Sequence, residues 1–505
     1  MMTPPGEDEN IFRSIGVEPI INCRGTFTII GGSIERPEVL TAMKAASRHF
    51  VQYDELAEGV GRRLAEITGA EWGLIPAGCA AGLKHVTAAC VTGGNPEKLI
   101  RIPDLTGLDK TQVIIPRSSR NTYDHAVRNI GIEIIMIDTP EELERAINPR
   151  TAMIYLNSGG ASATGQPLSL EAIAGIAKPH KIPILVDAAA ENLTIPPVHI
   201  ERGADVVAYS GGKALCGPQG AGLVLGNKAI LMSAWQASSP HHGPNRDNKI
   251  SREEIMGMLA AVEAWTTRDH DGEWKIWLGY LDLIARQVTQ IEGLSTEVVE
   301  PTGPSNVAPT LQISWDPLAL NITGEEVAEN FARNKPRIAI GGSSTEDKTS
   351  IHVTPSQMQP GEAEVVAERI HSILSETRTP KPVAMTAAAD IDGHWDLTVE
   401  YFTSSSEHRL FLQQGGNWVQ GMHQSDFSNQ EINGTVAGNQ VKLQSVARHT
   451  ADGVPFLFSG EITQGEMAGS IHLGEYLTAR FTARRAHYNT VRRPIEIPGG
   501  PPLAT

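Results

Sequence analysis

Up to about residue 240, short β-branched runs alternate with longer segments of helical period. The runs include "EIIMI" (133–137), "TAMIYL" (151–156), "IPILVD" (182–187) and "DVVAYS" (205–210), with helix-like segments such as "SLEAIAGIAKPH" (169–180) between them. A helix between two strands carries the chain back to the edge it left, so the next strand runs in the same direction. The alternation therefore predicts βαβ units and a mostly parallel sheet covered by helices. From about 250 to 290 the chain reads as strongly helical, and "ISREEIMGMLAAVEAW" opens on a serine cap with acidic residues in its first turn. A strand in "TLQISW" (310–315) and a last helix in "GEAEVVAERIHSIL" (361–374) predict a smaller α/β domain.

The texture changes after the Pro- and Ala-rich stretch "TRTPKPVAMTAAAD" (377–390). Eight short alternating runs follow, from "HWDLTVEYF" to "YLTARFTAR", with Gly, Asn and Asp between them. That rhythm predicts an antiparallel barrel or sandwich. Gly393-x-Trp395 on the first run resembles the start of lipocalin-like barrels, where the tryptophan plugs one end; an ordinary core tryptophan explains it as well. Eight strands leave room for little but side chains inside. His408, His423, His449 and His472 lack metal-ligand spacing and read as surface histidines. The domains are expected at 1–245 (large), 246–378 (small), 379–390 (linker), 391–486 (barrel) and 487–505 (irregular tail).

Composition narrows the class. A chain of 505 residues is too long for one core. No run of eighteen apolar residues is found, which predicts no spanning helix. The start "MMTPPGEDEN" lacks the basic and apolar regions of a secretory signal. A formal charge of -16 repels phosphate backbones and argues against nucleic acid as a partner. Cys23, Cys79, Cys90 and Cys216 form no C-x-x-C pair, which predicts reduced thiols in a cytoplasmic protein and no metal site.

The stretch "VVAYSGGKALCGPQGAGLVLG" (206–226) holds one lysine, Lys213, in a loop crowded with glycine. The spacing of a P-loop is absent. Asp187 closes the apolar strand "IPILVD", where a carboxylate is costly without a cationic partner or a loop exit. A strand-end aspartate followed by a loop lysine is a pair that pyridoxal phosphate chemistry needs. The aspartate fixes the protonated form of the ring nitrogen, which makes the ring an electron sink; the lysine forms the Schiff base. The phosphate needs a seat too. In "LIPAGCAAGLKHVTAACV" (74–91) a small-residue turn precedes a helix, so Gly78, Cys79 and Ala80 offer backbone N–H groups to an anion. Ser210 adds a hydroxyl.

With these residues in order, the chain resembles the fold-type-I pyridoxal-phosphate enzymes related to selenocysteine synthase, and especially the D-glucosaminate-6-phosphate ammonia-lyase branch. The carrying stretches are "INCRGTFTIIGGS" (21–33), "LIPAGCAAGL" (74–83), "YDHAVRNIG" (123–131), "VDAAAENL" (186–193), "SGGKALCGPQGAGLVLG" (210–226), "NRDNKISREEIMGMLAAVEAW" (245–265) and "QMQPGEAEVVAERI" (357–370). The resemblance implies a large domain with a mostly parallel sheet, Lys213 as the Schiff-base lysine, Asp187 on the ring nitrogen, and the 77–80 turn with Ser210 on the phosphate. It places ring stacking in "RSSRNTYDHAVR" (117–128), where relatives often carry a histidine and this chain has Ser119; Tyr123 and His125 are the candidates left. Relatives tend to have a second lysine where this chain has Arg252, a group that stays charged at neutral pH. The C-terminal β domain lies outside the resemblance.

The resemblance begins near Ile15, which leaves no room for a tRNA-binding extension and favours a small free amine substrate. The implied reaction removes the α-proton, expels a β-substituent and releases ammonia. Arg246 in "PNRDNK" and Arg337 in "KPRIAIGG" are candidates for a bidentate grip on the substrate carboxylate. An aminotransferase or racemase on the same cofactor, and a non-catalytic binding protein of the same fold, are the alternatives. At least a homodimer is expected.

Overall fold

The computed structural model describes residues 11–345, 347–379, 386–445 and 453–486. The chain divides into two units at Lys381/Pro382. Half of the expected linker (380–385) and all of the expected tail (487–505) lie outside the described residues.

Seven strands build the main sheet of the first unit: β1 (Trp72–Leu74), β2 (Gln112–Pro116), β3 (Glu133–Ile137), β4 (Thr151–Asn157), β5 (Ile184–Asp187), β6 (Val206–Ser210) and β7 (Gly222–Gly226). Their order is β1-β7-β6-β5-β4-β2-β3. Strand β7 runs antiparallel to β1 and β6, and the other pairs are parallel. The ends of β4, β5 and β6 therefore lie along one edge, where open α/β sheets bind ligands.

Six helices matter here: α1 (Pro37–Ala46), α2 (Tyr53–Thr68), α3 (Cys79–Thr92), α4 (Leu170–Ala177), α5 (Lys228–Ala237) and α6 (Arg252–Thr267). One face of the sheet packs Ile114, Leu156, Val186 and Val207 against Leu64 of α2, Ile173 of α4 and Met258 of α6. The other packs Val113, Met153 and Val224 against Leu83 and Val86 of α3 and Leu231 of α5.

A smaller core follows. Strands β8 (Ser295–Val299), β9 (Thr310–Trp315), β10 (Gly341–Ser344) and β11 (Thr349–Val353) form an antiparallel sheet in the order β10-β11-β9-β8. It packs with α7 (His270–Val288), α8 (Gly324–Arg333) and α9 (Glu362–Ser375) through Leu281, Ile284, Ile313, Phe331, Ile351, Val366 and Ile370. Two assignments differ from the sequence reading. Helix α6, expected in the small domain, buries Ile255, Met258, Leu259 and Val262 in the large core. Ile20–Asn22 pairs in parallel with Arg337–Ala339, which brings Cys23 into the small core. An apolar stripe shows that a helix has a buried face, without naming the core that receives it.

The second unit is a closed barrel of β12 (Gly393–Glu400), β13 (Ser405–Gly415), β14 (Trp418–Gln424), β15 (Asn429–Ala437), β16 (Gln440–Ser445), β17 (Phe456–Thr463), β18 (Glu466–His472) and β19 (Thr478–Arg485). Each strand pairs with the next, and β19 closes on β12. Inward residues alternate with outward ones, as in β17, where Phe456 and Phe458 point in and Leu457 out. Trp395 is fully buried and donates its indole N–H to Ile391 O at 2.9 Å.

His408 and His423 correct the sequence reading: they are 3% and 0% exposed. Their ring nitrogens meet at 2.9 Å (His408 Nδ1, His423 Nε2). Ser406 Oγ lies 2.9 Å from the far nitrogen of His408, and Ser445 Oγ lies 3.1 Å from that of His423. The hydroxyl of Ser445 donates to Gln430 Oε1 at 2.7 Å. Two-residue alternation puts His408 on the same face as Leu410 and Leu412, and closure of the barrel makes that face the interior. His472 is exposed, and His449 lies outside the described residues.

Candidate active site

Strand β5 delivers Asp187 to the sheet edge with 4% of its surface exposed. Three donors surround its carboxylate. Tyr155 on neighbouring β4 donates its hydroxyl to Oδ2 at 2.9 Å. The Ala189 amide donates to Oδ1 at 3.1 Å, and the Cys79 thiol lies 3.7 Å from the same oxygen. Burial pushes the Asp187 carboxyl up, while Tyr155, the Ala189 amide, the charge of Lys213 and Cys79 pull it back. Burial, and then the charge of Asp187, push the Cys79 thiol and the Tyr155 hydroxyl well above their ordinary ranges, so both remain donors.

Lys213 sits half-buried in the loop between β6 and β7. Its charge acts on both Asp187 and Cys79. Among the described residues, its amine has no hydrogen-bond or ion-pair partner.

Helix α3 begins at the same edge. Its N-cap is Gly78, at φ 89° and ψ 163°, with no side chain capping the helix. The amides of Cys79, Ala80 and Ala81 thus face outward without intrahelical partners. Gly222 on β7 lies beneath this turn: a Cβ there would stand 2.6 Å from Gly78 C and 2.7 Å from Cys79 N. Only glycine lets the two backbones approach so closely. Ser210 ends β6, its amide bonded to Ala189 O at 3.2 Å.

These groups fit pyridoxal phosphate. A free amine, a buried carboxylate kept available by neutral donors, and an uncapped helix start converge on one sheet edge. The remaining expected residues fall elsewhere. Tyr123 is 56% exposed, and His125 is exposed at the start of a short helical turn. Asp124 beside them is buried between Arg120 and Arg128. Ser119 is buried. Asn121 links this segment to the site, donating to Tyr155 OH at 3.4 Å. Arg252 caps the end of α1 through Ala46 O and Ser47 O, each at 3.2 Å, which gives it a structural task. Arg246 keeps a buried, unpartnered Nε, and Arg337 lies in the strand paired with Ile20–Asn22.

A cavity of about 380 Å³ opens beside the site, bordered by Ala190, Asn192, Ala214 and Cys216. Its arginines are Arg24 and Arg268; Arg246 and Arg337 do not line it. The sequence reading missed Tyr155, Asn121 and Arg24. A single aromatic hydroxyl inside a buried, largely apolar strand is the one signal that pointed to Tyr155.

The family model of aminotransferase class V matches residues 122–247. The chain is similar to D-glucosaminate-6-phosphate ammonia lyase of Salmonella typhimurium, with 31% identity over 307 residues, 59% of this chain and 79% of that protein. It is also similar to 5'-C-glycyluridine monooxygenase-decarboxylase of a Streptomyces species, with 26% identity over 374 residues, 72% of this chain and 92% of that one. Among solved structures, a D-glucosaminate-6-phosphate ammonia-lyase superposes with a TM-score of 0.66 at 25% identity, covering 73% of this chain and 99% of the other.

Proposed function

The chain belongs to the D-glucosaminate-6-phosphate ammonia-lyase family, and on that premise we propose that it is a pyridoxal-phosphate lyase releasing ammonia from a free, hydroxylated amino acid. The observation that carries this reading is the unpartnered amine of Lys213 set against the buried Asp187 beside an uncapped helix start. Ser210 and the amides of Cys79 and Ala80 would hold the phosphate, with Gly78 shaping the turn because its own amide donates to Pro76 O at 2.8 Å. Lys213 would hold the aldehyde carbon, and Asp187 the ring nitrogen. When bound, the cofactor supplies an electron sink for the pair left at the α-carbon.

The chain's own residues supply the rest. Tyr155, Cys79 and the Ala189 amide fix the Asp187 carboxylate in place, so its charge needs no rearrangement during the reaction. Released when the substrate's amine takes its place on the aldehyde carbon, the Lys213 amine would take the α-proton and return a proton to the departing β-hydroxyl, which leaves as water. Hydrolysis of the remaining carbon–nitrogen bond then yields ammonia and a 2-oxo acid. Arg246, Arg337, Tyr123 and His125 remain candidates for contacts supplied in an assembled enzyme. We place that enzyme in the cytoplasm, as its four free cysteines suit. Among the described residues, no helix is long and apolar enough to cross a membrane. A homodimer or larger homo-oligomer would cover exposed apolar residues such as Ile29 and Phe50, which are 81% and 94% exposed.

The test is to incubate the loaded enzyme with 2-amino-2-deoxy sugar acids, with and without a 6-phosphate, and assay for ammonia and 2-oxo acid. Ammonia in step with oxo acid supports the lyase. Amino transfer to an added oxo acid without free ammonia, or the enantiomer alone, replaces it with an aminotransferase or a racemase.

A further inference from the structure

The backbone carbonyls around Lys213 are held from outside the loop as well as within it. Gly212 O accepts from the Ser33 amide at 3.0 Å, Lys213 O from the Cys216 amide at 3.0 Å, and Cys216 O from the Arg36 amide at 3.2 Å. Ala214 O accepts from Arg268 Nη1 at 2.8 Å. Two segments far apart in the chain therefore grip the lysine loop: residues 33–36, just before α1, and Arg268, just before α7. The loop has need of both. Cys216 stands at φ 51°, a left-handed backbone that a Cβ disfavours and that persists only where the surroundings impose it.

One carboxylate joins the two grips. Glu273 accepts from Arg36 Nη1 on Oε1 at 3.0 Å and from Arg268 Nε on Oε2 at 2.6 Å. The contacts close a ring, from Cys216 through the backbone and side chain of Arg36 to Glu273, and back through Arg268 to Ala214. Each corner is fixed by more than the ring. The Arg268 side chain is 8% exposed, and its guanidinium carbon lies 5.4 Å from the centroid of the Trp265 ring. Arg36 also faces Glu38 at 3.6 Å. Two guanidiniums thus meet two carboxylates, and the ring adds no net charge beside Lys213. Glu273 sits in the first turn of α7, where the helix start stabilises negative charge, and α7 continues into the smaller core through Leu281 and Ile284. The Lys213 amine has no partner of its own among the described residues, so its position follows from the backbone that carries it.

We propose that Glu273 is a positioning residue for Lys213: by joining Arg36 to Arg268 it fixes the backbone on both sides of the lysine and so sets where the amine stands. A group that must hold the cofactor, leave it and then move a proton works from one place, and a loop free to shift would spread it over several. The proposal rests on the reading of Lys213 as the cofactor's lysine, and the test separates the two. Full-length protein is loaded with pyridoxal phosphate. Circular dichroism in the cofactor's visible band follows the tilt of its ring, and absorbance follows the rate at which hydroxylamine removes it from the lysine. Glu273→Gln keeps the size of the side chain but turns an NH₂ group toward one of the arginines, which opens the ring. It should change the visible dichroism and speed removal by hydroxylamine about tenfold, the scale of one coupled polar contact. Arg36→Met opens the ring at its most exposed corner and should give the same changes, and it serves alone if Glu273→Gln does not fold. The double variant Glu273→Gln/Arg268→Met should be no worse than Glu273→Gln, because a ring already open has no second contact to lose. A lower melting temperature with unchanged dichroism and removal rate would make the ring merely structural and overturn the proposal, and so would additive effects in the double variant. Wild-type protein that takes up no borohydride-reducible cofactor would remove the cofactor reading together with it, whereas normal uptake with unaltered variants removes the role of Glu273 alone.

Discussion

The buried imidazole pair should make the barrel acid-sensitive. His423 is fully enclosed, with His408 on one nitrogen, Ser445 on the other, and the rings of Phe456 and Phe458 at 4.6 and 5.5 Å. Burial, reinforced by the neighbouring His408, lowers its pKa from 6.5 to about 3. His408 shifts the same way through burial, opposed by Asp426 and Glu407. A histidine whose folded pKa lies below its unfolded value contributes stability that is fully present above pH 6.5. That stability is lost as the pH falls, because the unfolded chain binds the proton first. With 6.5 unfolded and about 3 folded, linkage gives a loss of ~2 kcal/mol on going from pH 8 to pH 5. The figure is insensitive to the lower value, since the folded ring is neutral at pH 5 either way. For a unit of this size it corresponds to roughly 8–16 °C in melting temperature. The assay compares full-length protein with His423→Phe at pH 8 and pH 5, following melting and the amide hydrogen exchange of residues 405–424. The variant should lose ~1–3 kcal/mol at pH 8, because His408 Nδ1 and Ser445 Oγ lose a buried partner. Its further loss on acidification should be smaller than that of the wild type. Equal acid losses in the two proteins, or a barrel as protected at pH 5 as at pH 8, would refute the reasoning.

Four other outcomes can be checked directly. Lys213→Ala should end turnover and abolish the borohydride-reducible attachment of the cofactor; normal activity in that variant removes the lysine's role. Tyr155→Phe takes a donor from buried Asp187, and cofactor affinity, read by absorbance titration, should fall about tenfold, the usual scale for an unmet buried acceptor. Gly222→Ala drives a Cβ into the Gly78–Cys79 backbone, so a destabilisation of ~1–3 kcal/mol in chemical denaturation and weaker cofactor retention are expected. A chain ending near residue 380 should remain soluble and bind the cofactor at Lys213, because the two units hold separate cores; a truncated protein that stays insoluble and colourless would contradict this.

Much of this protein was legible in its sequence because the signals are local. Strands Glu133–Ile137 and Thr310–Trp315 coincide with their runs, Ser251 and Glu254 form the capping box their spacing announced, and eight alternating runs became eight barrel strands. Asp187, Lys213 and the 77–80 turn stand out for a similar reason: each is a chemical group placed where its own segment does not need it. What the tertiary structure decided involves contacts between distant residues. Cys79 reaches Asp187 across 108 positions, and no period or propensity encodes that meeting. Arg252 stood out only as a departure from the lysine of its relatives, and the structure makes it a cap on α1, 206 residues away. The pattern of α6 marked a buried face, and only packing chose the larger core for it. His408 and His423 share one difficulty. Alternation fixes the face of the strand they occupy, but inside and outside exist only once β19 closes on β12, and an imidazole tolerates either side when its nitrogens find partners.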